Sequence, residues 1–332
     1  MKRSIIGRFG GILVLVIVAG AALVVGSKLP VLTPLVLAIA GGAVVSNTVS
    51  IPEGIERGIA VHPLFLETAI VLLGASLPLS ALVAAGPLLI GLVVGTVALG
   101  VVVVTGLSRF AHLNDRLESL LAAGSSICGV SAIAAVAPVV EADDTQIAHA
   151  AATILLFDVL TLVLFPPIGR LLGVEAKLYG IWIGLAMFST GPVAAAGFAH
   201  STVAGQWAML TKLSRNALIG ILVVLYSLLY ANRERTQSRS VGTTGRLWAE
   251  FPKFLVGFVL LAVLANSGLL SDRVIDTIGL ASDALFLLAF AGLGFEIRLR
   301  KIRQSGVAPI AVVGLYLVFV SSVTYLAVGL FF

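Results

Sequence analysis

The sequence predicts an all-α polytopic membrane protein of the secondary-transporter type, with about eleven transmembrane helices. Three observations carry this: an apolar composition, a regular succession of apolar segments, and a one-sided distribution of basic residues. Of 332 residues, 59% are hydrophobic and only 11% charged, with a mean hydropathy of +1.12. A soluble chain carries about 25% charged residues, because it must solvate its surface. Stretches such as 10–26, 87–107 and 306–332 stay apolar over the roughly 17–25 residues that cross a bilayer core.

The apolar segments in chain order are 9–27, 31–46, 64–81, 87–107, 118–139, 146–170, 178–198, 206–230, 252–268, 281–297 and 307–331. The first follows Met1-Lys2-Arg3 and has no convincing cleavage site before Lys28. It reads as a retained extra span rather than a signal peptide. The remainder forms one transmembrane domain of two repeat-like halves, about 31–170 and 178–332. Ala231–Lys253, the only long polar stretch, reads as a loop between spans.

The charges test this count. With the N-terminus cytoplasmic, seventeen of the twenty-one basic residues fall on inside segments, among them Arg109, Arg170, Arg235 and Arg300. Two, Lys28 and Arg273, fall outside, and Lys212 and Arg215 lie within the eighth span. The acidic run Glu141, Asp143, Asp144 lands outside. This asymmetry predicts a multi-pass protein of the cytoplasmic membrane with its N-terminus inside and its C-terminus outside.

Several classes are excluded. The chain lacks alternating ten-residue segments and has 7% aromatics, against an outer-membrane barrel. The single cysteine, Cys128, rules out an intramolecular disulfide framework and a cysteine metal cluster. The pI near 9.6 reflects basic residues scattered over short loops, a topology signal rather than a nucleic-acid face. The four histidines sit near span ends, and no Walker, G-x-S-x-G or H-E-x-x-H motif occurs. Neither enzyme chemistry nor a metal or other cofactor is expected.

Two stretches echo each other. Pro34 to Asn47, then Leu73-Gly74-x-x-Leu77-x-Leu79 and Gly86, recur as Pro252 to Asn266, Leu293-Gly294-x-x-Ile297-x-Leu299 and Gly306. Spans 2–4 thus return as spans 9–11, and an odd offset of seven inverts the second copy. A five-span offset, making spans 5 and 10 the crossing pair, stays open. Inverted repeats with interrupted helices are a secondary-transporter architecture.

Two spans carry breaks. Span 5 holds Gly124-Ser125-Ser126-Ile127-Cys128-Gly129-Val130-Ser131, and span 7 holds Phe188-Ser189-Thr190-Gly191-Pro192. Helix interruptions free backbone groups that lipid cannot satisfy, so such segments face protein or a water-filled cavity; helix packing by small residues is the competing reading. Asp158 lies at the centre of span 6, and Lys212 and Arg215 share a face of span 8. A charge at mid-bilayer costs about 2.5–3.5 kcal/mol on insertion scales, so these three need compensation. An ion pair of Asp158 with Lys212 or Arg215 is one source of it.

The segments Glu67–Leu79 (ETAIVLLGASLPL), Ala123–Pro138 (AGSSICGVSAIAAVAP), Trp182–Gly184 leading to Val193-Ala194-Ala195, Lys212-Leu213-Ser214-Arg215, Phe251–Phe254 and Gly292-Leu293-Gly294 resemble the sulfate-exporter family of prokaryotic inner-membrane proteins. The resemblance covers nearly the whole chain after span 1. It implies kinship with the cation–proton antiporter and anion transporter superfamily, with inverted repeats and crossed, broken helices. The chain departs from the family pattern where a histidine, an acidic residue and a glutamine are usual and Phe188, Ser189 and Pro192 stand. Asp158 takes the place of a usual glycine.

The expectation is therefore a secondary transporter exporting sulfate or a similar small oxyanion. Ser125, Ser126, Cys128, Gly129, Ser131, Ser189 and Thr190 would replace the anion's hydration shell. Lys212 and Arg215 would balance its charge, and Asp158 would couple H+ or Na+. A cation–proton antiporter using Asp158, or a non-transporting membrane scaffold or sensor, are the alternatives. The lipid bilayer and a small ion are the expected partners, without nucleic acid; a homodimer stays open.

Overall fold

The computed structural model describes residues 2–28, 33–76, 79–231, 253–298 and 306–332. The polar loop at 232–252 and the basic residues 300, 301 and 303, which carry part of the orientation argument, lie outside the described residues, as does Leu77 of the repeat motif. Among the described residues the regular elements are all helical. In chain order they are α1 (Lys2–Gly26), α2 (Pro34–Thr48), α3 (Glu53–Ile59), α4 (His62–Leu73, continued by a 3-10 turn Gly74–Ser76), α5 (Leu79–Phe110), α6 (Asp115–Ser126), α7 (Val130–Val136) and α8 (Asp144–Leu171). They continue as α9 (Ala176–Ala186), α10 (Thr190–His200), α11 (Thr202–Asn216), α12 (Ile219–Ala231), α13 (Lys253–Asn266), α14 (Asp272–Glu296) and α15 (Val307–Phe331).

Seven stretches of the described chain are long and apolar enough to cross a membrane: 9–26, 53–76, 86–110, 144–171, 202–230, 272–296 and 307–331. Pro34–Thr48, Ala176–Ala186 and Lys253–Asn266 are shorter apolar helices. This is an α-helical membrane protein. Two helical regions start earlier than hydropathy suggests. α3, with Glu53, Glu56 and Arg57, precedes the expected third span, and α14 begins at Asp272 rather than near 281. In both, charged first turns hide the helix from an apolar window; acidic residues there favour the helix N-terminus.

The helices group into two compact units, each drawing on separate parts of the chain. One comprises 1–84 and 253–299, the other 85–252 and 300–332.

In the first unit, glycines permit backbone-to-backbone crossings. A Cβ at Gly294 of α14 would lie 2.2 Å from the carbonyl oxygen of Ile39 and 2.9 Å from the nitrogen of Ala43, both on α2. A Cβ at Gly74 would lie 2.4 Å from the carbonyl oxygen of Phe258 and 3.4 Å from the nitrogen of Ala262, both on α13. Asn47 Nδ2 donates to the carbonyl of Ile297 at 2.6 Å, and Ser282 Oγ to that of Ala69 at 2.8 Å.

In the second unit, α11 is the central packing element for the broken segments. The Gly180-x-x-x-Gly184 pair of α9 lets α11 approach so closely that a Cβ at Gly180 would stand 2.4 Å from the carbonyl of Ala204. Small residues at four-residue spacing permit this approach. Gly197 of α10 meets Gly205 of α11 in the same way, its built Cβ 2.9 Å from the Gly205 Cα. α8 starts with a capping box, Gln146 N donating to Asp143 Oδ1 at 2.8 Å and Asp143 N to Gln146 Oε1 at 3.1 Å. Trp182 Nε1 donates to the carbonyl of Ser321 at 2.9 Å, tying α15 to α9.

Candidate functional site

Both expected breaks are present, and they meet. α6 stops at Ser126, and α7 starts after Gly129, whose φ of +68° is accessible mainly to glycine. α9 stops at Ala186, Met187 is extended, and α10 starts at Thr190. Pro192 explains the second break. It lacks an N–H and its ring would collide with the carbonyl of Phe188 in a continuous helix, whereas the first turn of a new helix tolerates it. The two breaks touch: a Cβ on Gly129 would lie 1.9 Å from Ser189 Oγ. Span 10, the alternative crossing partner, is by contrast the continuous helix α14.

Each interrupted helix leaves carbonyls without partners at its C-terminal end. Lys212 and Arg215 of α11, both fully buried, supply the missing donors. Lys212 Nζ donates to the carbonyls of Ile127 at 2.6 Å, Met187 at 3.1 Å and, very closely, Phe188. Three acceptors fit an ammonium with three N–H bonds; a neutral amine would turn its lone pair on one of them. Arg215 Nη1 donates to Leu185 at 2.6 Å, Met187 at 2.9 Å and Gly184 at 3.0 Å. Its Nη2 donates to the carbonyls of Ser126 at 2.7 Å and Ser125 at 3.2 Å, and Nε to Ser126 at 3.2 Å. The cations thus bridge the ends of α6 and α9, where the helix dipoles favour positive charge.

The opposite ends carry the opposite sign. Asp158, 3% exposed on α8, accepts from Ser189 N at 3.0 Å through Oδ1 and closely from Ser189 Oγ through Oδ2. A carboxylate so held caps the N-terminus of α10. Asp158 thus caps α10, while the two cations satisfy carbonyls at the ends of α6 and α9. One turn on, Asn216 Nδ2 donates to Thr190 Oγ1 at 3.0 Å, while its buried Oδ1 has no partner among the described residues.

The hydroxyls of Ser126 and Tyr316 meet where Gly100 of α5 lacks a side chain; a Cβ there would lie 2.5 and 2.4 Å from them. Tyr316 also stacks on Phe188, ring centroids 6.1 Å apart.

Of the residues singled out by sequence, Ser126, Gly129, Asp158, Ser189, Thr190, Lys212 and Arg215 are brought together. Cys128 is buried beside them. Ser125 contributes its carbonyl to Arg215, but its hydroxyl bonds its own helix at Leu121 at 2.7 Å. Ser131 is exposed. Asn216, Tyr316 and Gly100 were missed. Asn216 was detectable as a third polar residue beside Lys212 and Arg215, whereas one tyrosine in an apolar helix gave no signal. A cleft of about 400 Å³ between α5, α6 and α12, lined in part by Arg109, Glu118 and Tyr226, lies at the other end of α6 and includes none of the junction residues.

A family described as conserved hypothetical protein 698 matches residues 10–313. The chain belongs to this family. It is similar to a UPF0324 membrane protein of Agrobacterium fabrum, 34% identical over 294 residues, covering 88% of this chain and 82% of the relative. A UPF0324 membrane protein of Nitratidesulfovibrio vulgaris is 29% identical over 317 residues, covering 92% and 88%. One of Streptococcus agalactiae is 30% identical over 310 residues, covering 90% of each. No solved structure matches the chain. These relatives are membrane proteins by description, in accord with the several apolar helices of this chain: this is a multi-pass membrane protein.

Proposed function

We propose that this family member is a secondary transporter of a small oxyanion, with its binding site at the junction of α6–α7 and α9–α10. The observation that carries the reading is the charge count. Among the described residues of this unit, the buried charged side chains are Glu118, Asp158, Lys212 and Arg215. Glu118 is occupied with Arg109, 3.3 Å away at the far end of α6. At the junction two cations face one carboxylate. The two C-terminal and two N-terminal helix ends contribute partial charges that roughly cancel. One positive charge is left over in a low-dielectric setting, where it favours an anionic guest. Sulfate is the first oxyanion to test.

The wider architecture is part of this proposal: eleven crossings, Asp143 and Asp144 outside, Arg109 and Arg170 inside, and spans 2–4 repeated in inverted form as 9–11. The reciprocal glycine contacts support the repeat. Gly294 sits on Ile39 and Ala43, Gly74 on Phe258 and Ala262, and each pair of targets is separated from the other by 219 positions.

Asp158 favours a second reading, a cation–proton antiporter, because it is a buried carboxylate at a helix break. Reconstitution decides between them. Purified protein in liposomes should exchange radiolabelled sulfate or a related oxyanion, and should not carry Na+ or Li+. Cation flux without oxyanion exchange would establish the antiporter, and no flux of either a non-transporting scaffold.

A further inference from the structure

We propose that Asp158 is a tethered occupant of the anion position, and that a dianionic oxyanion replaces it at α10 only after the carboxylate has taken up a proton. This deepens the oxyanion reading and rests on it. The N-terminus of a helix is an anion site, because its free N–H groups and dipole point outward. At α10 that position is filled from within the chain: the Asp158 carboxylate takes the Ser189 N–H and hydroxyl.

A second feature marks the place as one built for a guest. Asn216 is 5% exposed, binds Thr190 Oγ1 at the start of α10, and leaves its amide oxygen buried without a partner among the described residues. With the amide turned over, Oδ1 would accept the threonine hydroxyl and Nδ2 would offer its protons to an oxyanion.

Charge then sets the order of events. With Asp158 ionised, the junction holds two positive charges and one negative, so a dianion brings excess negative charge. Protonation leaves two positive charges, which a dianion neutralises. The proton ends on a carboxyl oxygen, and the two donors of Ser189 pass from that carboxyl to the oxyanion. Each dianion carried is thereby accompanied by one proton.

The charged and titratable groups at the junction beside Asp158 are Cys128 between α6 and α7, Lys212 and Arg215 on α11 and Tyr316 on α15. The packed elements also carry Asp115, Arg116 and Glu118 at the start of α6, His200 at the end of α10, Tyr325 on α15, and Lys177 and Tyr179 at the start of α9, with Asp144, His149 and Arg170 on α8 itself. Tyr179 packs on Gly169, three turns along α8. Asp158 is the buried carboxylate at the junction, Glu118 lying at the far end of α6 beside Arg109, and the anion of sulfate itself does not titrate near neutral pH.

The test is radiolabelled sulfate counterflow in liposomes containing the full chain, from pH 5.5 to 8.5. Wild-type apparent affinity should fall with rising pH, approaching tenfold per unit above the titration point, the slope of one coupled proton. Asp158→Asn should still exchange sulfate, with an affinity independent of pH. Ser189→Ala removes one donor to the ionised carboxylate and should move the wild-type profile to higher pH. Sulfate exchange with a flat wild-type profile, or an unaltered slope in Asp158→Asn, overturns this inference and leaves the oxyanion reading standing. Absence of exchange for sulfate and other oxyanions in wild type and both variants, or Na+ flux abolished by Asp158→Asn, overturns both.

Discussion

Arg215 offers the sharpest quantitative test of the junction. Its guanidinium satisfies the carbonyls of Ser125, Ser126, Gly184, Leu185 and Met187, at 2.6–3.2 Å. Arg215→Met keeps an apolar stem of similar length but removes every donor. Met187 retains Lys212 at 3.1 Å, so four carbonyls become bare. A buried polar group left unsatisfied costs about 1–3 kcal/mol, which gives about 4–12 kcal/mol in total. That is comparable with the whole stability of an ordinary domain, about 5–15 kcal/mol. Arg215→Met should therefore fail to yield a monodisperse protein in detergent. Arg215→Lys preserves the charge but has three donors, leaves one or two carbonyls bare, and should cost about 1–6 kcal/mol. Thermal unfolding in lipid nanodiscs, followed by tryptophan fluorescence, reads both. The double variant Asp158→Asn, Arg215→Met separates causes: if Arg215 served mainly to neutralise Asp158, removing both charges would restore stability. The carbonyls predict that it does not. An Arg215→Met protein within about 1 kcal/mol of wild type, less than one unsatisfied group, or a restored double variant, would refute this reasoning.

Lys212→Met should bare the carbonyls of Ile127 and Phe188 and lower stability by about 2–6 kcal/mol, measured in the same unfolding assay. Gly129→Ala adds a Cβ 1.9 Å from Ser189 Oγ at a φ of +68°; unfolding should show a large loss, with only partial recovery in Gly129→Ala, Ser189→Gly, because the backbone strain persists. Gly74→Ala and Gly294→Ala place a Cβ against equivalent carbonyls, 2.4 and 2.2 Å away. Overpacking of this kind costs about 1–3 kcal/mol or more, so a lowered unfolding temperature is expected in both, and one tolerated as wild type would break the equivalence. Single cysteines in a Cys128→Ala background should react with an impermeant external reagent at 143 or 144, and only from inside at 235 or 300. External labelling at 300 overturns the proposed orientation.

The parts of the fold legible in the sequence are those set by local chemistry. Glycine, serine and proline at 124–131 and 188–192 announce helix ends, because those residues free or remove backbone hydrogen bonds over a few positions. The apolar helices were equally plain, save where charged first turns, as at Glu53 and Asp272, masked them. What the sequence could not supply was the pairing across distance. Lys212 and Arg215 were recognisable as buried charges, but their partners are backbone oxygens, and every residue has one. Only the close approach allowed by Gly180 and Gly184 selects which carbonyls they reach. Asp158 and Ser189 stand 31 residues apart on different helices, so their contact exists only after α8 and α10 have packed. Asp158, Lys212 and Arg215 are each held at helix ends, a kind of partner that residue types alone do not announce.

The bridge from α11 back to α6 also imposes an order on biogenesis. Ser126 and Arg215 are 89 residues apart, and chains grow at about 5–20 residues per second. The exposed carbonyl end of α6 thus waits roughly 4–18 s for its arginine after leaving the ribosome, at those rates. During that interval α6 and α7 have no permanent occupant for the gap between them, so translocon, water or a chaperone must shelter it. Synthesis of α11 is the step that releases the segment from such protection. A nascent chain arrested after α10 should therefore be a substrate for membrane quality control, while one extended past Arg215, with its arginine free to reach the junction, should escape it.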